Sequence, residues 1–376
     1  MGARRPRLCY VVASAMTVNA FLREHIAAAS ARFEVTVIAN SREAPAVPAR
    51  FIPVAIDRRI SPLADLRALV ELVRLFRRER FDLVHSLTPK AGLLAALAGA
   101  FAAIPVRIHT FTGQVWAART GAMRFLLKKL DGLTASLATG VLADSASQRE
   151  FLIAENVVAP DKCRVLGRGS VNGVDAARFR PDPAARGRVR AEAGIPAEAV
   201  LFVYVGRFAR DKGLLDLARA FAQLEEGWLL LVGPDEDGIA GELRAACAGA
   251  SGRLRILPAT GAPERYMAAA DVFVLPSYRE GFGSAILEAA AAQVPAIGTR
   301  IYGVTDAIVE GETGCLVPPR DPRALAGRMR ELQQDAALRA RLGRAARERA
   351  LRDFAPGDLV RELLAVYDRM LDEARV

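Results

Sequence analysis

Sulfur and imidazole are scarce in this chain of 376 residues, which carries four cysteines and three histidines. Cys9, Cys163, Cys247 and Cys315 stand singly, with no C-x-x-C pair. That spacing supports neither a structural zinc cluster nor a disulfide framework, and it fits a reducing compartment. Long apolar runs are missing as well. The longest, Ala91 to Val106 between Lys90 and Arg107, has sixteen residues and is interrupted by Gly99 and Pro105, whereas a membrane-spanning helix needs about 20. It reads as a buried helix followed by the start of a core strand. The positive amino-terminal stretch Met1 to Arg7 precedes apolar residues Leu8 to Ala15 that are broken by serine and lack a cleavage site, so no secretion signal is expected. There is no fixed-period repeat and no low-complexity segment.

What is present is a chain 52% hydrophobic and 25% charged, long enough for two domains with sizeable cores. Its net charge of +10 is uneven. Residues 1–180 hold 26 Lys+Arg against 14 Asp+Glu, a balance of +12, and residues 181–376 hold 26 against 28, a balance of −2. The excess suggests an anionic partner for the first half, either nucleic acid or an acidic membrane face. Arginine outnumbers lysine 47 to 5, a composition bias that accounts for the arginines but not for their placement. No recognisable nucleic-acid-binding module accompanies them.

Short β-rich runs alternate with Ala/Leu/Arg stretches of helical period, the pattern of βαβ units around parallel sheets. Strands are expected at 8–13, 33–39, 51–56, 81–87, 106–111, 140–144 and 163–166, with a helix at 63–80. The Pro- and Arg-rich stretch Asp175 to Gly187 reads as a connection. Strands resume at 200–205, 228–232, 254–257, 272–276, 295–298 and 315–317. The fold class is therefore α/β, with two Rossmann-like domains at 1–180 and 181–355 and a last helix at 356–376 that crosses back to the first. In such sheets ligands bind outside the carboxyl ends of the strands, so two domains facing across a cleft would present their strand-end loops to it.

Three of those loops carry chemistry. Tyr278-Arg-Glu280-Gly-Phe-Gly-Ser-Ala-Ile-Leu-Glu288 follows a strand and opens a helix, so the backbone N–H groups of Phe282, Gly283 and Ser284 can receive an anion. Glu280 and Glu288 bracket it; a helical rise over eight residues would separate their backbones by about 12 Å, too far for a glycosidase pair at roughly 5 to 9.5 Å and suited to two ends of one polar ligand. Gly206-Arg207-Phe-Ala-Arg210-Asp-Lys212-Gly213 offers a close backbone approach with two cations able to clamp a diphosphate, or else a solvated turn. His109, in Arg107-Ile-His109-Thr-Phe-Thr-Gly113, is either a satisfied structural residue or a group at the mouth of the cleft.

These blocks, with Ala296 to Thr313 and the following Gly314, resemble the retaining GT-B glycosyltransferases that use nucleotide sugars. More narrowly, His85 to Leu94, Arg107 to Trp116 and Glu264 through Gly283 are similar to enzymes that add a sugar to undecaprenyl-diphosphate-linked intermediates in capsule, O-antigen or glycan assembly. The resemblance implies a hexose or N-acetylhexosamine moved from a nucleotide sugar, UDP-linked, to a polyprenyl-diphosphate sugar, without metal or cofactor, at the inner face of the cytoplasmic membrane. It implies that Arg207 and Lys212, with Gly206 and the N–H groups of Phe282, Gly283 and Ser284, hold the donor diphosphate. Glu288 then binds the ribose, and Glu280 and His109 lie at the donor sugar as the catalytic pair. One departure stands out: Ser14-Ala-Met-Thr-Val-Asn19 replaces the Gly-Gly loop of many relatives. Leu257-Pro258-Ala259-Thr260 would border the base.

For the acceptor, Thr88-Pro89-Lys90 opens a helix where Thr88 and Lys90 could receive a lipid diphosphate, or it is a plain strand-to-helix turn. Arg119, Arg124, Lys128 and Lys129 with Phe125, Leu126, Leu127 and Leu130 fit a basic amphipathic helix on an acidic membrane surface, or a core-packed helix with a solvated face. Two look-alikes are set aside. Gly167-Arg-Gly169-Ser-Val-Asn-Gly173 has its third glycine one place late for a dinucleotide loop, and Asp235-Glu-Asp237 reads as a helix-capping loop and not a metal pair. The competing functions are a nucleotide-sugar epimerase of the same fold and a non-catalytic sugar-nucleotide or nucleic-acid binding protein.

Overall fold

The computed structural model describes residues 4–57 and 61–375. The start of the basic amino-terminal stretch, Arg58 and Arg59 of the basic half, and Val376 of the expected last helix lie outside the described residues. Two compact units result: one comprises the described residues up to Asn172 and from Pro356 onward, the other Gly173–Ala355.

The first unit holds β1 Arg7–Val11, β2 Glu34–Ala39, β3 Arg50–Pro53, β4 Leu83–Leu87, β5 Val106–Phe111, β6 Gly140–Ala143 and β7 Cys163–Val165, all parallel, in the order β3-β2-β1-β4-β5-β6-β7. The second holds β8 Leu201–Val205, β9 Trp228–Val232, β10 Leu254–Leu257, β11 Val272–Leu275, β12 Ala296–Thr299 and β13 Gly314–Val317, again parallel, in the order β10-β9-β8-β11-β12-β13. Every expected strand is present. Parallel strands covered by helices on both faces lose all exposure and so read as unbroken apolar runs; Leu229 to Val232 and Val272 to Val274 have none.

In each sheet the strand order reverses at one place, between β1 and β4 and between β8 and β11. The loops leaving the carboxyl ends of those neighbours diverge, which opens a crevice for a ligand.

In the first unit the Pro62–Glu79 helix begins with proline at its first turn and buries Ala68, Leu72, Leu75 and Phe76, one stripe of a 3.6-residue period. It shares a core with the Pro89–Phe101 helix. The sixteen-residue apolar run is that second helix followed by β5. Among the described residues no helix is long and apolar enough to cross a membrane. On another core lies the Pro356–Glu373 helix, which buries Leu359, Leu363 and Tyr367 against the strands.

The connection at 175–187 is only partly irregular. Asp182 accepts the Ala185 N–H at 2.8 Å and Pro183 takes the first helical position, so a helix runs Pro183–Glu192. Upstream of it, Val174 donates its N–H to the Phe354 carbonyl, and Val174 and Phe179 join the second core. The second unit therefore begins at Gly173, and not after residue 180.

Candidate functional site

At the switch point of the second unit, the turn after β8 and the loop after β11 meet. Gly213 makes that approach possible. Its φ is 67°, and a Cβ there would lie 2.0 Å from the Pro276 carbonyl oxygen, so a side chain is excluded both by conformation and by space. With the backbones this close, the Tyr278 N–H bonds to the Asp211 carbonyl at 2.8 Å. Lys212 Nζ reaches Glu280 Oε1 at 2.7 Å, and Ser277 Oγ donates to the same oxygen at 2.7 Å. Arg279 pairs with Asp211 at 2.6 Å, which fixes the second strand-end loop to the first turn.

Arg207 is held differently. Its guanidinium pairs with Glu236 in the loop after β9. The same loop shows what Asp235-Glu-Asp237 does: Asp235 accepts the N–H groups of Ile239 and Ala240 at 2.8 and 3.0 Å, and Asp237 accepts that of Arg210 at 2.8 Å. These carboxylates order a turn and position an arginine. Glu236 was missed by sequence reasoning because it was hidden in an apparent acid pair.

Gly283 caps the Ser284–Ala291 helix in the left-handed region, φ 84°, and no side chain caps its first N–H groups. The Phe282 ring is buried, 5.3 Å from that of Phe354. Glu280 precedes the helix, and the helical rise applies from Ser284 alone. The expected 12 Å separation from Glu288, built on continuous helix over the whole interval, therefore loses its basis. Glu288 is half-buried, and burial pushes its carboxyl up to about 7, with Arg178 opposing and Glu264 reinforcing the shift. Arg178 and Glu264 pair at 2.9 Å. Arg178 lies in the stretch read as a connection, where no motif marks it.

At the switch point of the first unit, Thr88 caps the Pro89–Phe101 helix with φ 69° and ψ 142°, a strained conformation for a β-branched residue. Its Oγ1 is buried without a hydrogen-bond partner. Lys90 Nζ reaches Asp65 Oδ1, in the first turn of the Pro62–Glu79 helix, at 2.7 Å. In place of the Gly-Gly loop, Ala15–Thr17 forms one helical turn and Val18–Leu22 a π-helical one, with the Ala20 carbonyl accepting from Asn172 Nδ2 at 3.2 Å.

His109 does not open onto solvent. It is 2% exposed; its Nδ1 lies 3.0 Å from Ser86 Oγ, its ring packs edge-on against Phe111, and it fills the space over Gly92, where a Cβ would meet Cε1 at 2.2 Å. On β5 this side chain lies under the helix that starts at Pro89. All three histidines are buried in this unit, and burial lowers His25 to about 4 and His85 and His109 to about 3.

The Gly121–Leu137 helix divides the residues singled out on it. Arg124 and Lys128 turn inward to Glu155 at 2.8 and 2.6 Å and lie over the buried Trp116 ring, while Phe125 and Leu126 face solvent.

Two family models match the chain, "Glycosyl transferase 4-like domain" over residues 17–169 and "Glycosyl transferases group 1" over 186–349. The chain is 30% identical to the capsular polysaccharide biosynthesis glycosyltransferase CapM of Staphylococcus aureus, over 85% of each chain. It is also 30% identical to the UDP-Gal:alpha-D-GlcNAc-diphosphoundecaprenol alpha-1,3-galactosyltransferase of Escherichia coli, over 68% of this chain and 67% of that one. Among solved structures, sucrose-phosphate synthase of Thermosynechococcus elongatus superposes with a TM-score of 0.83 at 23% identity, covering 98% of this chain and all of that one. The Anabaena protein HepE in complex with UDP superposes with a TM-score of 0.79 at 19% identity, covering 96% of this chain and 100% of that one. The strand orders, the paired strand-end loops and these likenesses agree: the chain belongs to the group 1 glycosyl transferases of the GT-B fold.

Proposed function

We propose that this glycosyltransferase moves a hexose or N-acetylhexosamine, with retention of configuration and without a metal, from a UDP-sugar to a polyprenyl-diphosphate-linked sugar in cell-surface polysaccharide assembly. The work is done at the inner face of the cytoplasmic membrane. The observation that carries the reading is the Lys212–Glu280 pair beside the helix start at Gly283. Lys212 Nζ has three protons, of which Glu280 takes one, leaving others for a phosphate. The relatives support the substrate classes: the Escherichia coli enzyme is named for UDP-Gal and a diphosphoundecaprenol acceptor, and HepE is solved in complex with UDP.

In this reading the donor diphosphate takes Lys212, Arg207, the backbone at Gly206 and the N–H groups of Phe282, Gly283 and Ser284. Glu280 accepts from the sugar hydroxyls and Glu288 from the ribose. As the bond from the sugar C1 to the phosphate oxygen breaks, negative charge grows on the diphosphate, and preorganised donors stabilise it by several kcal/mol. The acceptor hydroxyl bonds to C1 on the same face, and its proton passes to the departing phosphate oxygen. Thr88 and Lys90 hold the acceptor diphosphate. His109, on β5, lies beside the donor sugar.

The test is incubation with a panel of UDP-sugars and a short polyprenyl-diphosphate sugar, read by mass. The expected product is the acceptor plus one sugar, formed equally well in EDTA. Strict dependence on Mg²⁺ or Mn²⁺, or epimerised UDP-sugar without any transfer, overturns the proposal.

A further inference from the structure

The outward face of the Pro62–Glu79 helix is not polar throughout, as that of a surface helix should be: an apolar row runs among its charges. Leu63, Leu66 and Val70, spaced to share one helix face, are 74%, 57% and 40% exposed. Exposed apolar residues scattered singly are ordinary, but three in register make a patch. Beside them a cavity of about 680 Å³ opens against the edge strand β3, lined by Ile52, Leu66, Val70, Arg67, Glu71 and Arg74. Arg67 and Arg74 flank the row, and neither has a hydrogen-bonding or ion-pair partner among the described residues. At the far end Arg77 donates to the carbonyl of Phe101, whose ring is 61% exposed, and Arg78 and Arg80 are exposed nearby. Glu71 is the one exposed acid on this helix.

We infer that this face docks on an anionic phospholipid bilayer, with Leu63, Leu66 and Val70 in the acyl boundary and Arg67 and Arg74 at the headgroups. The charge complementarity selects the occupant. Exposed guanidiniums around an apolar row match an interface that is apolar within and anionic at its rim. The direction of the row agrees. Exposure is greatest at Leu63, two residues before Asp65, which holds Lys90. That is the end nearest the turn assigned to the acceptor diphosphate, where a lipid-linked acceptor has to leave the membrane. This last point rests on the proposed acceptor; the docking does not. The Gly121–Leu137 helix is the weaker surface, because two of its cations are spent on Glu155.

The experiment is co-sedimentation of the full chain with vesicles of phosphatidylcholine alone and of phosphatidylcholine mixed with phosphatidylglycerol. Wild-type protein should prefer the anionic vesicles and be released by salt. Leu63→Ser/Leu66→Ser should lower partitioning about tenfold per leucine, and Arg67→Gln/Arg74→Gln should abolish the preference for anionic lipid. Both variants change exposed side chains, so their melting temperatures and their transfer to a short soluble acceptor should match wild type. Unchanged partitioning of both variants overturns the inference, as does loss confined to Phe125→Ser/Leu126→Ser. Wild-type protein that ignores vesicles but self-associates through the leucines also overturns it. Because the readout is vesicle binding, its failure leaves the transferase reading standing, and absence of transfer leaves vesicle binding measurable.

Discussion

Lys212 and Glu280, sixty-eight residues apart, meet at 2.7 Å because Gly213 lets the turn after β8 close onto the loop after β11. Their side chains are 15% and 14% exposed. Breaking such a pair strands a mostly buried charge, which costs more than the pair is worth. Lys212→Ala should therefore lower stability by about 1–3 kcal/mol and transfer by about a hundredfold or more. The double variant Lys212→Ala/Glu280→Ala separates the two effects. It should regain stability while transfer stays low, as measured by thermal melts and by kcat/KM for the donor. Recovery of transfer in the double variant would make the pair purely structural.

Acid should destabilise the first unit through its histidines. His25, His85 and His109 have folded values of about 4, 3 and 3, below the ordinary 6.5, because burial disfavours the charged ring. A depressed histidine binds fewer protons folded than unfolded. Its neutral form is fully accommodated above pH 6.5, and stability is lost as pH falls from 6.5 toward the folded value, at about 1.4 kcal/mol per pH unit for each ring. Asp131, raised to about 6 chiefly by burial, and Glu288, raised to about 7, act in the opposite sense over their own ranges. Urea melts between pH 7 and 5 should show falling stability. His25→Phe, which removes a buried ring whose nitrogens have no hydrogen-bond partner, should flatten the slope by about one histidine's share. A slope indifferent to that change would exclude His25 as a contributor.

The contrast between what was readable and what was not follows from range. The central strands were legible because runs such as 229–232 and 272–275 are apolar and buried on both faces, and the glycine at 283 announced the helix start after β11 by its position between a strand and a helical period. The partners of charged residues were not legible. Arg124 and Lys128 look outward on a helical projection, yet Glu155 comes from the end of the next helix and turns them in. The side to which β5 points His109 depends on which helix covers that face, a tertiary fact. Arg178 and Glu236 carry no motif and acquire meaning only beside Glu288 and Arg207.

Charge reversal on the Gly121–Leu137 helix should accordingly act on folding. Arg124 and Lys128 combine ion pairs to Glu155 with positions 5.2 and 5.9 Å from the Trp116 ring centre. Arg124→Glu and Lys128→Glu should each cost about 1–2 kcal/mol, seen as lowered melting temperatures, whereas Lys129→Glu, whose ammonium lies 5.4 Å from the exposed Phe125 ring, should be close to neutral. Equal melting temperatures for all three would remove the inward assignment.

Thr88 is where strain and the proposed acceptor site coincide. A threonine at φ 69° and ψ 142° is held in a conformation that glycine adopts without penalty, and its buried hydroxyl has no partner to offset the cost. If the residue were there for folding, glycine would be the better choice. Thr88→Gly should relieve strain of about 1–3 kcal/mol against about 1 kcal/mol of added unfolded-state entropy, leaving stability unchanged or raised. Removing the hydroxyl should at the same time raise the acceptor KM several-fold, with the donor KM unmoved, because in the proposed site the acceptor phosphate supplies the partner that this hydroxyl lacks within the protein. Thr88→Ser restores the hydroxyl and should restore the acceptor KM. A clear loss of stability in Thr88→Gly, with both KM values at wild type, would show that the threonine serves the turn and that the acceptor diphosphate binds elsewhere.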